Sequence, residues 1–325
     1  MSTANQTIGL ENLVLNNGFI SAARISKNAL MTNHGWRRDA YWIYKAADTE
    51  TKSRLYQGLK IFLSKNLNDT EFLPPLHDKD YNFNEEWAIP QNDAVGLDLS
   101  MAINQNDKET AQKLINYLER IKFWQCPDYG IWEGDGQLDY PGQVLKKRIH
   151  TSSICACAKG VEQYQTNIDD SSQVREMLSN AYQRVEDMLP HEALETETQN
   201  EIILDSGLMF TLYDPIKPIK EDKQMQEKLW DNLNLLEKEN GFIRFPQDRW
   251  NGVFHVLKNN PMHWPMFFGL KYLITKDKKY FDKFENLMKP NLRSEGFIDG
   301  ISNGTDLNWN RAFSQLCKKQ YALAA

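Results

Sequence analysis

The sequence predicts an all-α fold, a single domain of about twelve helices. Three observations carry that reading. Apolar residues recur at three- and four-residue spacing in nearly every long segment, and no run alternates apolar and polar residues well enough to make a strand. No stretch rich in Gly, Ser or Pro divides the 325 residues, and 41% hydrophobic content over that length suffices for one large core.

Residues 7–15 are the first short helical candidate, stopped by Asn16-Asn17-Gly18. The run from His34 to Trp42 opens a helix that reaches about residue 47, and a second helix spans 51–66. A long loop over 72–89, with Pro74-Pro75 and several aromatics, ends in Trp87-Ala88-Ile89-Pro90-Gln91-Asn92-Asp93. From Ala94, the residues Val95, Leu97, Leu99, Met101, Ala102 and Ile103 cover so much of a helix that it must be buried on more than one side. Asp107 precedes an amphipathic helix with Ala111, Leu114, Ile115, Leu118 and Ile121 on one stripe. After Pro141-Gly142 a helix is expected over 145–163. The next carries Val174, Met177, Leu178, Ala181, Val185 and Met188 and ends at Pro190. Residues 202–213 read as a further apolar helix. Another has Met225, Leu229, Leu233 and Leu236 and closes at Asn240-Gly241. Pro261-Met262-His263-Trp264-Pro265 leads into a helix to residue 275, and 280–288 and 308–321 complete the set. The aromatic loops recur at every second helix, so in a ring of helix hairpins they would gather at one end.

Charge and composition narrow the function. Lys+Arg 38 against Asp+Glu 44 gives a net charge of -6, which does not favour capture of nucleic acid or of an acidic membrane surface. No run approaches the length needed to span a bilayer, and the first residues lack a secretory signal, so a cytoplasmic protein is expected. The 4 Cys and 6 His show no metal-ligand spacing, so neither a metal site nor a disulfide framework is expected. The 9 Trp and 13 Tyr fall largely beside Asp, Glu or Arg in loops. Flat apolar faces next to hydrogen-bonding groups suit a sugar ring.

The chemistry is centred on the stretch from Cys126 to Gly136, which contains Trp132-Glu133-Gly134. An indole that sheds water raises the pKa of a neighbouring carboxyl, and small residues beside it leave room for a ligand, as a general acid requires. Arg38 and Asp39, in a first helical turn, can hold different hydroxyls of a neutral polyol, because one only donates and the other only accepts.

Taken in order, the loops resemble glycoside hydrolase family 15, the glucoamylases and their relatives, which include a domain of phosphorylase kinase regulatory subunits. The motifs are Trp36-x-Arg38-Asp39, Trp87-x-x-Pro90-Gln91-x-Asp93, Trp132-Glu133, Arg244-Phe245-Pro246-x-Asp248, Pro261-x-x-Trp264, and Ser294-Glu295 followed by Asp306-Leu307-x-Trp309. The resemblance implies an (α/α)6 barrel without a β-sandwich or starch-binding module. It also implies exo-acting, inverting hydrolysis of α-glucans or maltooligosaccharides, with no cofactor. Carried over by residue, Glu133 is the general acid and Glu295 the general base. Arg38, Asp39 and Arg244 hold the terminal glucose, Trp87 stacks at the pocket wall, and Trp36, Asp93, Trp132, Asp248 and Trp264 support the pocket. Two carboxyls must flank the bond, one protonating the leaving oxygen and one activating water from the opposite face.

The sequence also departs from the family pattern. Gly134 stands where catalytic relatives often have a second glutamate, and Met31-Thr32-Asn33-His34 replace aromatics that often precede the Trp-x-Arg-Asp motif. These departures motivate one alternative, a glucan-sensing regulatory module that has lost turnover. A trehalase or α-1,6-glucan hydrolase is a further variant, since the resemblance implies that those activities also occur on this scaffold, and an all-α scaffold whose aromatic loops bind another protein is a third reading.

Overall fold

A computed structural model describes residues 9–26, 29–67, 72–83, 89–132, 147–194, 201–202, 204–246, 261–288, 295–298, 301–302 and 305–324. Six helices form an inner ring: α2 (Arg37–Ala46), α4 (Asp93–Asn104), α6 (Thr151–Asn167), α8 (Leu208–Tyr213), α11 (Met266–Thr275) and α13 (Asn308–Ala324). Each packs on the next, and α13 closes the ring on α2. Between them the chain places α3 (Thr49–Asn66), α5 (Lys108–Arg120), α7 (Ser172–Met188), α10 (Lys223–Leu235) and α12 (Lys278–Leu287) on the outside. Two five-residue helices, α1 (Ala29–Asn33) and α9 (Lys217–Glu221), complete the helices of the described residues. No helix among them is long and apolar enough to cross a membrane.

Burial explains which helices lie inside. In α4, 10 of 12 residues are buried, and in α2, 8 of 10. An outer helix such as α7 buries only its stripe, Val174, Met177, Leu178, Ala181, Val185 and Met188. The α4–α6 contact is tightened by glycines. A Cβ on Gly96 would lie 2.3 Å from the Ala156 carbonyl oxygen, and one on Gly160 would lie 2.7 Å from that of Gly96.

The two rings start differently. The outer helices α3, α5, α7, α10 and α12 are each N-capped by a side chain, from Asp48, Asp107, Ser171, Asp222 and Asp277. The inner helices α2, α4, α6, α8 and α11 have no side-chain cap. They follow short extended segments that pair with one another at one end of the barrel. Gly35–Trp36 (β2) pairs with Leu76–His77 (β3), and Ile149–His150 (β4) with Ala193–Leu194 (β5), which continues to Glu201–Ile202 (β6). Ala23–Ile25 (β1) pairs with Asp306–Leu307 (β11), just ahead of α13. Single bridges add Asp128 to Arg148, Phe242 to Trp264, and His263 to Phe297. The open N-termini of the inner helices favour negative charge at this end, where Asp39, Asp93, Asp128, Glu192, Asp205, Glu295 and Asp306 are all buried.

Several boundaries differ from the sequence reading. The expected helix over 7–15 is, among the described residues, one 3-10 turn, Leu10–Asn12. The helix expected from 145 begins at Thr151, because the Arg148 N–H is paired to the Asp128 carbonyl and the Thr151 N–H to that of Glu192. The helix expected over 202–213 begins only at Leu208. Asp205 accepts from the Gly207 N–H at 2.6 Å and makes a turn there instead. Strands exist, but they are two or three residues long, too short to show alternation.

Candidate active site

The site is best followed through the residues that lead to Glu133. Residues 128–130 are held by Pro90, Gln91 and Asn92, Ile131 by Arg38, and Trp132 by Asp205. The Asp128 carboxylate accepts from the Asn92 N–H at 2.7 Å and the Gly130 N–H at 3.0 Å. The Tyr129 N–H donates to the Pro90 carbonyl, and Gln91 Nε2 donates to the Gly130 carbonyl at 2.6 Å. Arg38 Nη1 donates to the Ile131 carbonyl at 3.0 Å, and Trp132 Nε1 donates to Asp205 Oδ1 at 2.8 Å. Gly130 has a φ of +64°, and a Cβ there would lie 2.6 Å from the His150 ring. Glycine is therefore required both for the backbone and for the imidazole against it.

Arg38, 5% exposed, sits in the first turn of α2 and spans the Asp93 carboxylate at the start of α4. Its Nε lies 2.5 Å from Oδ2 and its Nη2 3.1 Å from Oδ1, a two-pronged fit that a planar guanidinium can make and an ammonium cannot. Its guanidinium thereby joins α2, α4 and the stretch ahead of Glu133. Behind it, Arg37 is paired with buried Asp98. Burial pushes Asp98 up to about 6, against the opposing effect of the Arg37 charge.

The Trp132 ring faces a second group. The Arg244 guanidinium lies 5.6 Å from the Trp132 ring, 5.4 Å from Trp264 and 5.5 Å from Phe245, and the two indoles are 5.6 Å apart. A guanidinium held between aromatic faces is a partly desolvated donor array, suited to polyol oxygens. The buried indole N–H of Trp264 has no hydrogen-bond partner among the described residues. Glu295, 2% exposed, donates its backbone N–H to the Thr305 carbonyl at 3.0 Å. Its strand neighbour Phe297 pairs with His263, next to Trp264. The loops carrying Trp132, Arg244, Trp264 and Glu295 thus share one end of the barrel. Asp39 is buried in α2, and Trp36 is half-buried in β2. Glu133, Trp87 and Asp248 lie outside the described residues.

Beneath Trp132 lies a group that the sequence reading missed. Asp205 Oδ1 takes both the Trp132 indole and the Gly207 N–H. The Glu192 carboxylate accepts from Ser152 Oγ at 2.5 Å and lies 3.3 Å from His150 Nδ1. Burial, reinforced by the Glu192 charge, pushes Asp205 up to about 8. Burial alone would lower His150, but its bond to Glu192 and the charges of Asp128, Glu192 and Asp205 outweigh it and raise the net value. The sequence signal was faint: Asp205-Ser206-Gly207 is a turn motif inside an apolar run. Among the described residues, no group of three or more His, Cys, Asp and Glu is arranged to hold a metal ion.

No protein-family model matches the sequence, and no curated protein matches it. Solved structures do match. A wild-type glycosidase aligns over 97% of this chain and 94% of its own, at 14% identity and a TM-score of 0.68. A GH63 mannosylglycerate hydrolase from Thermus thermophilus, in complex with glucose, aligns over 95% of this chain and 98% of its own, at 11% identity and a TM-score of 0.62. A bacterial glucoamylase complexed with acarbose aligns over 95% of this chain but 54% of its own, at 12% identity and a TM-score of 0.69. The chain has the fold of the (α/α)6 glycosidases.

Proposed function

We propose that this chain is a glycoside hydrolase of the glucoamylase type, which removes glucose from the non-reducing ends of α-glucans or maltooligosaccharides with inversion. Glu133 is the general acid in this reading and Glu295 the general base. Arg244 and Trp264 bind the terminal sugar, while Trp87, Asp39 and Asp248 line the pocket. The observation that carries the proposal is the pinning of residues 128–132. Bonds from Asn92, Pro90, Gln91, Arg38 and Asp205 fix the five residues ahead of Glu133. Such rigidity is what a proton donor needs to meet a glycosidic oxygen in one geometry. Burial of Glu295 at the same end supports the second carboxyl, and inversion calls for a separation of about 6.5–9.5 Å, with water between. No cofactor takes part.

The test is maltotriose hydrolysis followed by proton NMR. Release of β-glucose as the first anomer supports the proposal, whereas first release of α-glucose, or no turnover, overturns it. A second reading rests on the mannosylglycerate hydrolase that shares the fold: hydrolysis of a small glycoside instead of a glucan. Turnover of mannosylglycerate with little on maltotriose would select it.

A further inference from the structure

The acid's environment extends below Trp132, into a set of buried side chains that would not themselves touch a sugar. We propose that Asp205 is a positioning residue for the general acid: by accepting the Trp132 indole N–H, it fixes the last pinned residue before Glu133. This inference rests on the assignment of Glu133 as the acid.

The geometry supports it in three ways. First, Asp205 Oδ1 is shared between the indole and the Gly207 N–H, so one oxygen ties the loop at Trp132 to the start of α8. A displaced Asp205 would move both. Second, Trp132 is held on its other side by aromatic contacts, with Trp264 at 5.6 Å and Phe267 at 6.0 Å, and by Arg244 above its ring. The Asp205 bond is the polar contact of the indole within that aromatic slot, and it holds Trp132 in one orientation. Third, Asp205 is 2% exposed and has its own charged surroundings. The groups that act on it are Glu192 beside β5 and His150 of β4, with Asp128 acting on His150 in turn. Ser152 of α6 and His150 hold Glu192 in place. Oδ1 acts as the acceptor of both N–H groups, and the amide oxygen of an asparagine reproduces that function. Alanine does not.

The experiment compares the wild-type chain with Asp205→Ala, Asp205→Asn, Trp132→Phe and the double variant Trp132→Phe/Asp205→Ala. Each is assayed on maltotriose and on mannosylglycerate, with the indole N–H resonances recorded by NMR. Asp205→Ala and Trp132→Phe should each lower kcat by about 100-fold, with KM changed much less, as expected for a misplaced catalytic group. The double variant should be no worse than the poorer single one. Asp205→Asn, which keeps an oxygen to accept the indole N–H, should restore kcat to within about 3-fold of wild type. It should also keep the Trp132 indole resonance that Asp205→Ala shifts. The inference is overturned if Asp205→Ala turns over at the wild-type rate, if the two single losses multiply in the double variant, or if Asn fails as fully as Ala. Wild-type protein that hydrolyses neither substrate overturns the hydrolase reading and this inference together. Turnover that is indifferent to Asp205 overturns this inference alone.

Discussion

The guanidinium of Arg38 grips both oxygens of Asp93, at 2.5 and 3.1 Å, and so joins the first turns of two inner helices 55 residues apart in the chain. The same guanidinium reaches the Ile131 carbonyl. One side chain therefore sets the spacing of α2 and α4 and the height of the loop that carries Trp132.

Removal of that grip should be costly for stability and for turnover alike. Arg38→Ala leaves the Asp93 carboxylate buried without its partner, and urea unfolding should show a loss of about 3–5 kcal/mol. Arg38→Lys keeps the charge but cannot span two oxygens, and kcat should fall while the helical circular dichroism signal stays that of wild type.

The two proposed catalytic carboxyls should behave differently from Arg38. Glu133→Gln and Glu295→Gln each remove a proton-transfer group, and each should reduce kcat by about 100-fold or more. Calorimetric melting should show both variants as stable as wild type, and titration calorimetry should still detect binding of the maltotriose they no longer cleave. A variant that melts early would point to a structural role for that carboxyl.

Asp205 also makes a prediction about stability. Its pKa rises from 3.8 to about 8 on folding, so the folded chain keeps a proton that the unfolded chain has lost. That contribution is complete below the unfolded value and disappears as pH rises through the folded one. Melting temperatures of wild type and Asp205→Asn, measured across pH, should diverge in favour of the variant between the unfolded and folded values. The gap should then stay constant at higher pH. A constant gap throughout would show that Asp205 is ionised in the folded chain.

Gly130 offers a test by backbone alone. Alanine at a φ of +64° would carry strain, and its Cβ would meet the His150 ring at 2.6 Å. Gly130→Ala should cost about 2 kcal/mol in chemical denaturation. It should also lower kcat more than it raises KM, because it moves the stretch ahead of Glu133 without touching a sugar contact.

The sequence and the structure agree where local chemistry determines the outcome. The outer helices could be read because each has a single apolar stripe and a side chain that caps it, as at Asp107 before α5 and Asp222 before α10. The inner helix α4 could be read from its near-continuous apolar run. The strands could not, since two residues cannot display a period and their pairing depends on partners distant in the chain, as for His150 with Ala193. The same limit applied to the site. Trp132, Arg244, Trp264 and Glu295 were named from their motifs, and the structure brings their loops to one end of the barrel. The bond from Trp132 to Asp205, 73 residues away, left only the faint turn motif Asp205-Ser206-Gly207 in the sequence, and Asp205 was read as part of a helix. The pairing of Arg38 with Asp93 could not be read, because nothing near Arg38 in sequence shows that Asp93 lies within its reach.

The short pairings at the barrel mouth have a dynamic consequence. Each loop there is tied to a loop from elsewhere in the chain: Asp128 to Arg148, Phe242 to Trp264, His263 to Phe297. Breaking any one tie frees two segments, each with a further attachment around the rim. Amide protons in these loops should therefore exchange with solvent as a cooperative set, at a lower opening free energy than those of α4 or α11. A bound sugar bridging two loops would then slow exchange in loops it never touches.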